Sequence, residues 1–166
     1  MIQQEIKKAT YLYKRYGKIL LEDPDMGFLI NRYRESIRKS QLTMKEFGVI
    51  EACSSCAGVN TSGCCFSGVE DWYDAYLLLI NLLLGREIPR KTDFSESCLF
   101  VGEHGCKLMA RHSFCVNFLC PGLLKGFISG QRQRLSKVVG NEIHAGWELE
   151  KALRKRIKNE KDFGHE

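Results

Sequence analysis

Along the first twenty positions, apolar residues return at alternating steps of four and three. Ile2, Ile6, Ala9, Tyr13, Tyr16 and Leu20 therefore share one stripe of a helix predicted over about residues 2–21. Asp23 and Pro24 follow as an N-cap with proline at the first helical position, where a missing N–H is no loss. A second helix is expected to run to about Lys39, burying Met26, Leu29, Ile30, Tyr33 and Ile37. Thr43-Met44-Lys45-Glu46 has the capping-box pattern and is expected to open a short helix leading toward Cys53. From Cys53 to Gly68 the chain is small, polar and glycine-rich, which reads as a loop. Ser67-Gly68-Val69-Glu70 repeats the capping pattern and predicts a helix over about 69–84, ended by Gly85. Val69, Trp72, Tyr73, Tyr76, Ile80, Leu83 and Leu84 form its main apolar face, and Leu78 and Leu82 lie off it. Such a broadly apolar helix belongs at the centre of the fold or against a partner.

Arg86 to Ser97 reads as a connecting loop, Leu99-Phe100-Val101 as a short extended segment, and Met109 to Phe118 as one or two helical turns, with Pro121 closing this region. Leu135, Val138, Val139, Ile143, Trp147, Leu153 and Ile157 then recur at roughly helical spacing, with Gly140-Asn141 as a possible division into two helices. The expected fold is mainly α: one domain over 1–166, with N-terminal helices (1–50), a cysteine-rich region containing a central helix (51–122) and C-terminal helices (123–166). Trp72, Tyr73 and Tyr76 are most simply core.

A chain of 166 residues can bury a core without covalent staples. The N-terminal residues lack the apolar core of an export signal, and the run from Ala75 to Leu84, interrupted by Asn81, falls short of the ~20 residues a membrane helix needs. These features point to the reducing cytoplasm, with no membrane role, where thiols persist or bind metal. The net charge of +5 is divided: residues 1–40 carry nine basic against five acidic side chains, 41–120 six against nine, and 121–166 ten against six. An acidic centre thus lies between basic flanks. The densest basic cluster, Arg154-Lys155-Arg156 with Lys151, Lys158 and Lys161, is mixed with Glu148, Glu150 and Glu160, which argues against nucleic acid and for solvated helix faces.

All eight cysteines fall inside that acidic centre, as Cys53-x2-Cys56-x7-Cys64-Cys65-x32-Cys98-x7-Cys106-x8-Cys115-x4-Cys120. Cys53 and Cys56 have the spacing at which two sulfurs grip one ion. Cys98, Cys106, Cys115 and Cys120 are too widely spaced for a local turn and must be assembled by the fold. Adjacent side chains normally diverge, so Cys64 and Cys65 are expected to serve two ions or opposite sides of a cluster. Core packing of one or two thiols, disulfides and a redox pair are the competing readings. Number, confinement and spacing favour metal, with all eight as candidate ligands. All-thiolate ligation suits two zinc ions or an iron–sulfur cluster equally.

At these residues the sequence resembles the YkgJ-type cysteine-cluster family of zinc- or iron-chelating domains, whose pattern is CxxCxxxCC followed by a second cysteine-bearing segment. Cys53, Cys56, Cys64 and Cys65 match the first block, and Cys98, Gly105-Cys106, Arg111, Cys115 and Cys120 match the second. The resemblance covers about residues 53–120 and implies metal chelation. Two positions depart from it: seven residues rather than three separate Cys56 from Cys64, and His112 follows Arg111 where proline is usual.

His104 and His112 lie among the thiols and could each replace one, although an exposed or sulfur-neighbouring histidine is the simpler reading. Arg111 is either a donor of N–H bonds to metal-bound sulfur or half of an ordinary surface ion pair. The leading expectation is a metal-binding protein. The alternatives are an iron–sulfur redox or group-transfer enzyme, with its pocket between the central and C-terminal helices, and an accessory protein docking on a partner protein through its charged C-terminal helix.

Overall fold

The computed structural model describes residues 1–56 and 64–163. The fold is mainly α. Helix α1 spans Ile2–Glu22 and buries Ile2, Ile6, Ala9, Leu12, Tyr16 and Leu20, the stripe its sequence predicts with Leu12 added and Tyr13 left half-buried. The Asp23 carboxylate accepts from the Asp25 and Met26 N–H groups at 2.9 and 3.2 Å and starts α2 with Pro24 in its first turn.

Helix α2 runs over Pro24–Glu46, about two turns beyond the predicted end. Thr43 does not cap a new helix: its hydroxyl donates back to the Lys39 carbonyl at 3.1 Å, inside α2. The chain turns instead at Gly48, whose φ of 71° needs no Cβ clearance, and α3 follows over Val49–Cys56. Cys53 and Cys56 therefore stand on a helix rather than in the expected loop, and residues 57–63 of that loop lie outside the described residues.

The helix expected over 69–84 is two elements. Val69–Trp72 forms one 3-10 turn, and Asp74 then accepts from the Tyr76 and Leu77 N–H groups at 3.0 and 2.9 Å, capping α4 over Ala75–Leu83. A second good cap inside the apolar run divides it. Helix α4 is buried at the centre, with Leu78, Leu79 and Ile80 all at or below 1% exposure, so Leu78, off the main apolar face, is covered as well. Trp72, expected in the core, is exposed. Gly85, at φ 80°, ends α4 as predicted, with the Arg86 N–H donating to the Asn81 carbonyl at 2.9 Å.

Strands β1 (Val101–Gly102) and β2 (Gly105–Cys106) form a small antiparallel hairpin. Two short helices follow, α5 over Ser113–Asn117 and α6 over Pro121–Gly126. Pro121 does not end this region but opens α6, in the first-turn position. Helix α7 then continues unbroken over Gln131–Phe163. Gly140 does not divide it, because Gly140 faces solvent while Leu135, Val139, Ala145, Leu149, Leu153 and Ile157 keep one buried stripe on either side. Trp147, expected on that stripe, is exposed.

Helix α7 packs along α2, α1 packs on α4, and α3 packs on α2 and β2. The apolar side chains form two clusters. The larger joins α1, α4 and parts of α2 and α7. The smaller gathers Met44, Val49, Val116, Leu135 and Val139 beneath α3 and α5. No helix among the described residues is long and apolar enough to cross a membrane.

Candidate metal centre

Three parts of the fold bring the cysteines together. On α3, Cys53 and Cys56 are three residues apart and share a helix face, with Cys53 exposed and Cys56 half-buried. Helix α3 packs against β2, the strand that carries Cys106. The Cys64–Phe66 segment runs beside the chain at 96–98: the Cys98 N–H donates to the Cys65 carbonyl at 2.8 Å, and Phe66 and Ser97 form an antiparallel bridge. Cys115 lies in α5, which packs on α7, and Cys120 is the N-cap residue of α6.

Asn81 fixes the segment between these parts. Fully buried in α4, its Nδ2 donates to the carbonyls of Leu77 and Ala110, and its Oδ1 accepts from the Met109 and Ala110 N–H groups, all between 2.9 and 3.0 Å. Tyr73 fixes the next turn. Its hydroxyl accepts from the His112 N–H at 3.0 Å and points its own hydrogen at Cys115 Sγ, 3.8 Å away. Sequence reading took Asn81 as an interruption and Tyr73 as core. A lone amide within ten apolar residues was the available signal for the first; the second left none.

All eight thiols are free of disulfides and form one electrostatically continuous group. Although its side chain is exposed, Cys53 is raised by partial desolvation from the surrounding chain, and Cys64, Cys120 and Cys56 add to the rise. Cys115 is raised by burial, with Cys106 and Cys64 adding while Tyr73 opposes. Burial pushes Cys98 up to about 12, with Cys106 and Cys115 among the further causes. Cys106 is also raised, by burial. Interaction with the adjacent Cys65 thiol lowers Cys64 to about 6, and the Cys64 sulfur raises Cys65 in turn. A thiolate at Cys64 beside neutral neighbours is the starting state for ligation, since thiolate is the form that binds metal.

Arg111 is the cation of this group. It lowers Cys53, Cys64, Cys106 and Cys115 together, and its guanidinium touches Met44 Sδ at 3.6 Å. Among the described residues it has no carboxylate at ion-pair distance, so the surface-pair reading does not hold. His112 accepts from the Phe114 N–H through Nδ1 at 3.3 Å, capping α5, and burial lowers its pKa. His104 is exposed in the β1–β2 turn.

The donor set suits a soft or borderline ion held by thiolates. In the arrangement described, no three of the His, Cys, Asp and Glu side chains stand close enough to hold an ion, so ligation requires the sulfurs to draw in. Around the group runs a ladder of rings: Phe66 on Trp72, Trp72 on Phe114, and Phe114 on Phe118, with centroids 6.0, 5.0 and 5.0 Å apart. On the other side, a cleft of about 560 Å³ is lined by Arg86, Asp93, His104, Cys106, Lys107 and Met109. It does not lie between the central and C-terminal helices, where a pocket was expected.

Three arginines of α7 are engaged within the fold. Arg134 makes a bidentate pair with Glu46 at 2.6 and 2.8 Å, Arg156 meets Asp23 at 3.3 Å, and Arg154 joins Asp74 and Glu150 while lying over the Tyr76 ring. A scan against family models, a search of curated proteins and a search of solved structures each find no match to this chain.

Proposed function

We propose that this chain is a metal-binding protein that chelates two zinc ions or an iron–sulfur cluster through Cys53, Cys56, Cys64, Cys65, Cys98, Cys106, Cys115 and Cys120. The observation that carries the reading is the continuity of the thiol group. Cysteines as far apart in sequence as Cys53 and Cys120 come within electrostatic reach of one another, and one arginine, with no carboxylate at ion-pair distance among the described residues, is within reach of four of them. Thiols used only as small apolar packing have no reason to gather around a cation. Resident metal would supply the bonds that join α3, the Cys64–Cys65 segment, β2 and α5 into one unit.

Anaerobic purification with metal analysis, acid-labile sulfide and an absorption spectrum tests this. Colourless protein with about two zinc ions per chain identifies closed thiolate sites. Brown protein with sulfide identifies a cluster. Protein without metal overturns the proposal.

A redox or group-transfer reaction is the second reading, and one observation favours it: Cys106 belongs to the thiol group and also lines the 560 Å³ cleft. A small molecule in that cleft would reach the centre directly. Activity toward any such molecule should then fall on Met109→Trp, which fills the cleft, with metal content unchanged; an unchanged rate would dismiss this reading.

A further inference from the structure

A second cleft, of about 310 Å³, lies along the seam where α7 packs on α2, and no cysteine lines it. Arg32, Glu35 and Lys39 line it from α2, and Val138, Asn141 and His144 from α7. On each helix these positions recur at steps of three or four, so each set shares one face. The helices are held close beside it. A Cβ at Gly146 would stand 3.0 Å from the buried Tyr33 ring, and its absence lets α7 lie near α2 next to Arg32. A site built on two packed helices keeps its geometry better than one built on loops.

The carboxylates around the cleft already have cations. Arg38 Nε donates to Glu35 Oε2 at 3.0 Å. Glu148, one turn on from His144, has its Oε2 at 2.8 Å from Arg32 Nη2 and 3.2 Å from His144 Nδ1. The Arg32 contact is off the line of a hydrogen bond and leaves that oxygen without a hydrogen-bond partner. No acceptor among the described residues therefore takes an Arg32 side-chain N–H. Lys39 and Asn141 likewise make no side-chain hydrogen bond or ion pair among the described residues. A guanidinium, an ammonium and an amide, from both walls, thus line one cleft with their donors unclaimed.

That set calls for an anion with acceptors in several directions. A carboxylate offers two oxygens in one plane, which a single guanidinium satisfies from one side. A phosphoryl group offers three strong acceptor oxygens about a tetrahedral centre. Arg32 and Lys39 are separated by about 10 Å of helix rise, near enough for both long side chains to reach one group between them. The Ser36 hydroxyl, which stands between them, donates back to the Arg32 carbonyl at 3.0 Å and does not compete. Val138 and Ala145 add apolar wall for a small carbon body. The volume suits a small molecule, at the lower end of the range for ligand sites.

We propose that the α2–α7 cleft binds a small soluble phosphomonoester, its phosphoryl oxygens held by Arg32, Lys39 and Asn141 and its carbon body laid against Val138 and Ala145. The site stands apart from the thiols and does not depend on the chelation reading.

Isothermal titration of the full chain with propyl phosphate is the test. Saturable binding at one site is expected. Lys39→Gln should weaken it about tenfold and Asn141→Ala about threefold or more, as expected for lost hydrogen bonds to a charged group. Lys14→Gln, an equal change of net charge on exposed α1 surface outside the cleft, should weaken it less than about twofold. Inorganic phosphate should bind about fourfold more weakly, the contribution of a single buried CH2. Propionate should bind at least about fivefold more weakly, having fewer acceptors. Absence of saturable binding, an equal loss in Lys14→Gln, or parity of either inorganic phosphate or propionate with the ester overturns the inference. Vesicles containing phosphatidic acid distinguish the source of the phosphoryl group. Co-sedimentation that is lost in Lys39→Gln, without binding of propyl phosphate, assigns the cleft to a lipid surface and overturns the soluble ligand. Asn141→Asp, of equal size, replaces Asn141→Ala if that variant does not fold, and is expected to abolish binding.

Discussion

The adjacent Cys64 and Cys65 thiols shift each other in opposite directions, Cys64 downward and Cys65 upward, and this gives the metal-free protein a pH signature. Cys64, held at about 6, contributes stability that is present above the pKa of an unfolded thiol and lost as pH falls through about 6. Cys98, pushed up to about 12, has the opposite sign: its contribution is present below the unfolded thiol pKa and lost as pH rises from there toward 12. Urea unfolding of reduced, chelator-treated protein should show stability falling between about pH 8.5 and higher values. Cys98→Val should reduce that fall, and an identical slope in the variant would mean that Cys98 is not buried as a neutral thiol. The cysteines themselves were legible in the sequence, because a confined count needs no structure. Arg111 was legible only as one of two alternatives. Among the described residues, α2 places Met44 rather than a carboxylate beside the guanidinium.

Helix boundaries followed the local rules wherever a cap had no rival. Asp23 with Pro24 started α2, and Gly85 ended α4. The rules failed where two signals competed. Asp74 capped α4 inside what looked like one helix, and Thr43 bonded back within α2 instead of opening a new one. Gly140 was overruled by the buried stripe on both sides of it. Since a Cβ built there meets nothing within 4 Å, Gly140→Ala should stabilise the protein by about 0.5–1 kcal/mol in thermal or urea unfolding. Destabilisation would mean that α7 bends at this point. Asn81 works at the same scale, joining α4 to the chain ahead of α5. Asn81→Leu leaves the Met109 and Ala110 N–H groups and the Ala110 carbonyl without their partner, and is expected to cost about 2–4 kcal/mol and to lower metal content with it. Loss of stability with full metal retention would separate Asn81 from the thiol group.

Across the whole molecule, the helical scaffold is assembled by α2 on α7 and α1 on α4, while the thiols lie mostly in the parts with least regular structure. The mainly α fold could be read from apolar spacing alone. The meeting of α3, β2 and α5 could not, because it depends on long-range packing that leaves no periodicity. Metal that binds only the folded arrangement stabilises it by mass action, so a strong chelator should lower the unfolding temperature, and an unchanged temperature would leave the thiols without a structural ion. The most direct test is a count of reactive thiols in anaerobically purified protein, made before and after chelator is added under native conditions. Chelation by the eight cysteines predicts few reactive thiols at first and eight afterwards; eight reacting at once, before any chelator, would contradict it.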